Sequence, residues 1–166
     1  MKVAESDRCI SWLPWYHDMG LVGCFLSPVA NQVSVDYLAT EDFARRPLSW
    51  LDLITRNTRN GGTSISYSPT FGYDICARRI GSQQDMTRFD LSGWRLAGNG
   101  ADMIRPDVMQ AFVDALAVAG FKASAFLPSY GLAEATLAVS IMPPGEGIIT
   151  DLVEETRLSG VPDAQG

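Results

Sequence analysis

Short apolar runs alternate along this chain with segments of helical spacing, and the connections between successive runs are too long for hairpins. That alternation constrains the fold more than any other feature. Strands joined by crossovers lie parallel in one sheet and carry helices on its faces, so the sequence predicts an α/β fold with a mostly parallel sheet flanked by helices. Strands are predicted over 9–13, 33–39, 63–67, 94–97 and 123–127, the first stopped by Pro14 and the third ended before Pro69. Helices are predicted over 21–29, with Gly20 and Gly23 set for close packing, and over 48–58 on a stripe of Trp50, Leu51, Leu53 and Ile54. Another is predicted over 71–80, with Phe71, Ile75 and Ile80 inward, followed by a polar linker over 81–90. Thr40 is expected to cap a short turn over 41–45, where Glu41 and Asp42 suit the helix dipole. A helix over 106–119 opens on Pro106, buries Val108, Phe112, Leu116 and Ala119, and stops at Gly120. Good helix formers fill 133–139, and 148–150 reads as local strand.

At 166 residues, 46% of them hydrophobic, the chain can bury one sizeable core. A formal net charge of −6 argues against nucleic acid or an anionic membrane as partner, and no apolar run is long enough to span a bilayer. Nor do the first residues contain a signal-peptide core. Cys9, Cys24 and Cys76 are scattered in apolar sequence without the spacing of a zinc site or a disulfide framework. Reduced, buried thiols in a cytoplasmic protein fit that pattern.

In open α/β sheets, ligands gather beyond the carboxyl ends of the strands. Three polar clusters fall at such ends: His17-Asp18, Asn99-Gly100-Ala101-Asp102, and the stretch 129–134. In the last, Tyr130 offers a flat ring and a hydroxyl, Gly131 allows close backbone approach, and Glu134 brings a carboxylate. His17, the single histidine, reads as a general base, a metal ligand, or a capping or structural group. One histidine without other soft ligands argues against zinc, and the missing Gly-x-Ser-x-Gly elbow argues against a serine triad. Gly98-x-Gly100 lacks the third glycine of the dinucleotide fingerprint, which argues against a nicotinamide cofactor. The turn at Asn99 reads either as a tight bend or as backbone lying flat against a planar base. Tyr130 reads as a plain core or surface ring or as a stacking platform, and Glu134 as a solvated carboxylate or a magnesium ligand.

Taken together, His17-Asp18-Met19-Gly20, Asn99-Gly100-Ala101-Asp102 and Tyr130-Gly131-Leu132-Ala133-Glu134-Ala135-Thr136 resemble, in order and spacing, three motifs of the adenylate-forming enzymes. The branch they resemble most is the fatty acyl-AMP ligases. Ser11-Trp12-Leu13-Pro14, Arg46-Pro47 with Trp50, and Ser68-Pro69-Thr70-Phe71-Gly72-Tyr73 extend the resemblance over nearly the whole chain. It implies an enzyme in which a fatty acid carboxylate attacks the α-phosphate of ATP, giving acyl-adenylate and pyrophosphate. The acyl group then passes to the phosphopantetheine thiol of an acyl carrier protein or polyketide synthase carrier domain, with coenzyme A a less favoured acceptor. The resemblance further implies that Asn99, Gly100, Ala101 and Asp102 line one side of the adenine and that Tyr130 meets it from the other. Ser129, Gly131 and Leu132 would shape the nucleotide site, Glu134 would hold Mg2+, and His17 would be the catalytic residue beside the activated carbonyl. Leu21, Phe25, Phe71 and Tyr73 would wall an acyl tunnel. Ala133 stands where many adenylating enzymes carry Thr, as is usual in the acyl-AMP branch. Asp102 replaces the more common Glu and reaches one methylene less far.

The family's phosphate loop, rich in Ser, Thr and Gly and ending near Pro-Lys-Gly, has no counterpart in the sixteen residues before His17. Neither Lys2 nor Lys122 has the setting of the family's catalytic lysine, which belongs to a C-terminal lid domain. The resemblance therefore implies an internal fragment of an N-terminal domain, with 1–142 a partial AMP-binding domain and 143–166 the polar start of a family-specific insertion. Such a piece is expected to fold, not to adenylate by itself, and to self-associate through uncovered apolar surface. The rival expectations are a non-catalytic acyl- or nucleotide-binding module and a fragment of a long-chain acyl-CoA synthetase.

Overall fold

The computed structural model describes residues 3–80 and 86–154. Its strands are β1 (Asp7–Ser11), β2 (Ser34–Tyr37), β3 (Thr63–Ser68), β4 (Trp94–Asn99), β5 (Phe126–Gly131) and β6 (Ala138–Ile141). They form one sheet in the order β2-β1-β3-β4-β5-β6. The pairings from β2 through β5 are parallel, and only β6 runs antiparallel, against β5. A π-helical stretch, Met19–Leu26, runs into α1 (Ser27–Ala30), followed by α2 (Thr40–Arg45), α3 (Leu48–Arg59), α4 (Thr70–Ile80) and α5 (Pro106–Leu116). The mostly parallel α/β architecture is the one the alternation dictates. No helix among the described residues is long and apolar enough to cross a membrane.

Side chains alternate across a strand, and β3 makes the division of the sheet visible. On one face Ser64 and Ser66 are sealed beneath α3: Asn57 Nδ2 donates to Ser64 Oγ at 2.9 Å, and Trp50 Nε1 donates to Ser66 Oγ at 2.8 Å. Ser66 passes the bond on to the Ile10 carbonyl in β1. Trp50 is fully buried and touches the rings of Trp12, Phe43, Tyr73 and Trp94, while Phe112, Phe121 and Phe126 continue the cluster under α5. On the other face Ile65, Leu96 and Leu127 form a smaller group beside Tyr67. Helix α5 buries Val108, Phe112 and Leu116, spaced four residues apart, as its periodicity predicts.

An ion pair between the half-buried Arg95 and the buried Asp7 ties the amino-terminal edge of the sheet. Burial by itself would raise the Asp7 carboxyl, but Arg95, the Ala4 N–H and the Thr63 hydroxyl outweigh it and hold the group below its usual range. A depressed folded pKa contributes stability that is present above the unfolded value, near 3.9, and lost as pH falls through the folded value. Asp7→Asn is thus expected to flatten the acid limb of the unfolding profile below about pH 4. An unchanged acid limb in a pH series of urea melts would contradict it.

Several local expectations give way. Residues 133–139 are not a helix: a 3-10 turn at Ala133–Ala135 ends at Thr136, whose φ of +72° reverses the chain into β6. Helix propensity differs by only tenths of a kcal/mol between such residues (about 0–0.7), and pairing with β5 overrides it. Thr40 makes no cap bond but donates its hydroxyl to the Trp12 carbonyl at 2.9 Å. In α4 the buried side chains are Thr70, Tyr73, Cys76 and Ile80, whereas Phe71 and Ile75 are exposed. The strand predicted from 123 begins at Phe126 after a 3-10 turn, and 148–150 holds no strand. All three cysteines are buried free thiols, as their apolar settings predict. Residues 81–85 of the linker and 155–166 of the tail lie outside the described residues.

Candidate functional site

The parallel register carries the ends of β1, β3, β4 and β5 to one edge. Asn99, the last residue of β4, pairs with Ser68 on one side and Pro128 on the other, so 129–131 project beyond that edge. Asn99 is fully buried; its Nδ2 donates to the Ser68 carbonyl at 3.2 Å and to Thr70 Oγ1 at 3.3 Å. Its Oδ1 meets no partner, an uncompensated buried acceptor of the kind that a ligand donor satisfies. Beneath it, the fully buried Tyr73 donates its hydroxyl to the Gly98 carbonyl at 2.8 Å.

The turn that follows lies directly against the β5 corner. A Cβ on Gly100 would sit 2.6 Å from the Ser129 carbonyl oxygen, so only a glycine lets the two backbones approach this closely. Ala101 adopts a φ of +69°, a left-handed conformation that an alanine holds only when its surroundings enforce it. Asp102 accepts from the Thr70 N–H at 2.8 Å and the Phe71 N–H at 3.3 Å. Thr70 Oγ1 donates to the Met103 carbonyl at 3.0 Å.

Across the corner, Tyr130 is 65% exposed and pairs with Ser140 in β6, while Leu132 and Glu134 are also open to solvent. Among the described residues no three His, Cys, Asp or Glu side chains gather as a metal cluster, at Glu134 or elsewhere.

His17 lies in the segment after β1, with its side chain 53% exposed and Nδ1 2.7 Å from Asp18 Oδ1. Asp18 also accepts from the Met19 N–H at 2.7 Å, which caps the π-helical stretch, and the same N–H donates to His17 Nδ1 at 3.2 Å. Two contacts join this segment to the rest of the edge. A Cβ on Gly23 would lie 3.2 Å from Leu137 Cδ2, and Trp12 meets the Phe71 ring edge-on at 5.7 Å. Of the predicted acyl-wall residues, Leu21 and Phe71 are exposed, Phe25 stacks on Trp15 at 5.2 Å, and Tyr73 has no free surface.

Two clefts lie at the opposite edge of the sheet. One is lined by Asp7, Arg8, Ser34, Arg56 and Asn60, the other by Thr63, Trp94, Arg95, Lys122 and Ser124. No sequence-predicted site residue borders either. What the sequence reading missed is Thr70, buried and bonded to both Asn99 and Met103. Its place between Pro69 and the first turn of a helix was the available signal, because hydroxyl side chains at helix starts are disposed to bond neighbouring backbone.

The chain is similar to known proteins over nearly its whole length. The AMP-binding enzyme family matches residues 1–161. A Caulobacter vibrioides protein named as a putative acyl-CoA synthetase is 53% identical over 158 residues, covering 95% of this chain and 27% of that protein. A medium-chain fatty acid–acyl-carrier-protein ligase of Teredinibacter turnerae is 39% identical over 138 residues, covering 82% and 20% respectively. The crystal structure of a fatty acyl-adenylate ligase from L. pneumophila, in complex with acyl adenylate and pyrophosphate, superposes with a TM-score of 0.76 at 41% identity, covering 86% of this chain and 25% of that one. The chain thus spans a fifth to about a quarter of the length of these proteins.

Proposed function

The chain belongs to the AMP-binding enzyme family, and from that premise we propose that it supplies the adenine-binding and acyl-facing loops of a fatty acyl-AMP ligase. The ligase joins a fatty acid carboxylate to the α-phosphate of ATP, releases pyrophosphate and passes the acyl group to a carrier-protein thiol. The observation that carries this reading is the contact between the Gly100 turn and the Ser129 corner at the carboxyl edge of the sheet, beside the buried, unpartnered Asn99 Oδ1. Asn99, Gly100, Ala101 and Asp102 form one wall for the adenine. Tyr130, with its ring largely free, faces it from the other side, and Ser129, Gly131 and Leu132 complete the site. His17, steadied by Asp18, stands where acyl chain and adenylate meet, with Leu21, Phe25 and Phe71 toward the chain and Tyr73 behind them.

Magnesium fits this arrangement through Glu134. The ion is commonly held by one or two carboxylates together with substrate phosphates and water, so a single exposed carboxylate suffices on the protein side. Bound there, it would lower the cost of negative charge at the phosphates. Residues 1–142 form part of the AMP-binding domain and 143–166 open an insertion, and a reducing cytoplasm suits the three buried free thiols.

The test is fatty-acid-dependent pyrophosphate exchange by the full-length protein that carries this chain. Exchange is expected in the wild type, with a fall of about 100-fold or more in Glu134→Gln, in keeping with the loss of one group that stabilises transition-state charge. No exchange with any fatty acid would overturn the reading. A polypeptide of these 166 residues alone is expected to give none, since neither Lys2 nor Lys122 has the sequence setting of the family's catalytic lysine. A second reading, transfer to coenzyme A, is favoured by the name of the Caulobacter relative. Acyl-CoA formation at the rate of carrier acylation would select it.

A further inference from the structure

We infer that Asp102 is a positioning residue that ties the adenine turn to the acyl wall, so that a nucleotide seated on 99–102 fixes Phe71 for the fatty acid. The inference deepens the ligase reading and rests on it. A helix begins with orphaned backbone N–H groups, and α4 has no cap of its own because Pro69 precedes it and offers no side-chain acceptor. The cap comes instead from the loop after β4: the two oxygens of Asp102 take the first two N–H groups of α4, those of Thr70 and Phe71, at 2.8 and 3.3 Å. Bonds from N–H groups to a carboxylate at a helix start are strong and directional.

Thr70 doubles the tie. Its hydroxyl accepts from Asn99 and donates to the Met103 carbonyl, so one helix residue is held by three residues of the turn: Asn99, Asp102 and Met103. Phe71, the second residue whose backbone N–H Asp102 holds, has a ring that is 49% exposed and rests edge-on against Trp12, in the segment that leads to His17. The chain of contacts therefore runs from the adenine turn through the Asp102 carboxylate to the side of the site assigned to the acyl chain. Coupling between two ligands is reciprocal: if AMP tightens fatty acid binding by a factor, fatty acid tightens AMP by the same factor.

The experiment measures the dissociation constant of a fatty acid with and without saturating AMP, in the full-length protein, for the wild type, Asp102→Ala and Asp102→Asn. In the wild type AMP is expected to tighten the fatty acid by about fivefold or more, a usual size for such coupling. In Asp102→Ala the ratio should fall to near one, a larger change than the loss of AMP affinity itself. Asp102→Asn, which keeps one acceptor oxygen, should fall between; it also serves where the alanine variant does not fold. Weakened AMP binding with the ratio intact would make Asp102 a plain adenine contact and overturn the inference. A change in melting temperature alone, with the ratio unmoved, would make Asp102 purely structural and overturn it too. A wild type that binds neither ligand would overturn the ligase reading itself, a distinct result because it needs no variant.

Discussion

Gly131→Ala is expected to weaken nucleotide binding roughly 100-fold while leaving the helices in place. A Cβ at this position would lie 1.7 Å from the Leu137 carbonyl oxygen, and the obstacle is backbone, so no side-chain rotation relieves it. The β5–β6 hairpin must open, and with it goes the pairing of Tyr130 with Ser140 that sets the ring. Overpacking costs about 1–3 kcal/mol where side chains can yield. A rigid carbonyl puts this case at the upper end, and about 3 kcal/mol at the site corresponds to roughly 100-fold in affinity. Titration calorimetry with AMP checks it, alongside circular dichroism for the helices. Binding within threefold of wild type would show that the hairpin does not shape the site.

The largest effect on stability is expected at Trp50. Its ring is fully buried against Trp12, Phe43, Tyr73 and Trp94, and its indole N–H is the donor that fixes Ser66 and, through it, the Ile10 carbonyl of β1. Trp50→Ala should cost about 3–5 kcal/mol. A domain has only about 5–15 kcal/mol in all, so the variant is expected to unfold near physiological temperature. Trp50→Phe keeps most of the ring contacts but takes away a donor from the buried Ser66 hydroxyl, at about 1–3 kcal/mol. A urea series separates the two. Equal midpoints for the variants would mean that the hydrogen bond, not the ring packing, carries the effect.

How much was legible in the sequence depended on the physical signal each element carries. Helices α3 and α5 were readable because Trp50, Leu51 and Ile54, and Val108, Phe112 and Leu116, repeat at the helical period and are buried on that face. The parallel sheet followed from connection length. The β5–β6 hairpin was not readable, because Ala133, Glu134 and Ala135 are good helix formers and the decisive facts, pairing with β5 and the reversal at Thr136, are tertiary. Phe71 was misplaced for a related reason: apolar spacing alone cannot tell a helix face covered by the core from one left open. At the site, the motifs located Asn99, Tyr130 and His17 on one edge, but the use of Asp102 as the cap of α4 joins residues 31 and 32 positions apart. No local pattern encodes that pairing.

The most direct test of the central claim is the map of backbone amide shifts on addition of a non-hydrolysable acyl-adenylate analogue to the full-length protein. Perturbations are expected at Gly100, Ala101, Tyr130, Gly131 and Met19, along the carboxyl edge of the sheet. Shifts confined to Arg8, Asn60 and Ser124, beside the clefts of the opposite edge, would contradict it.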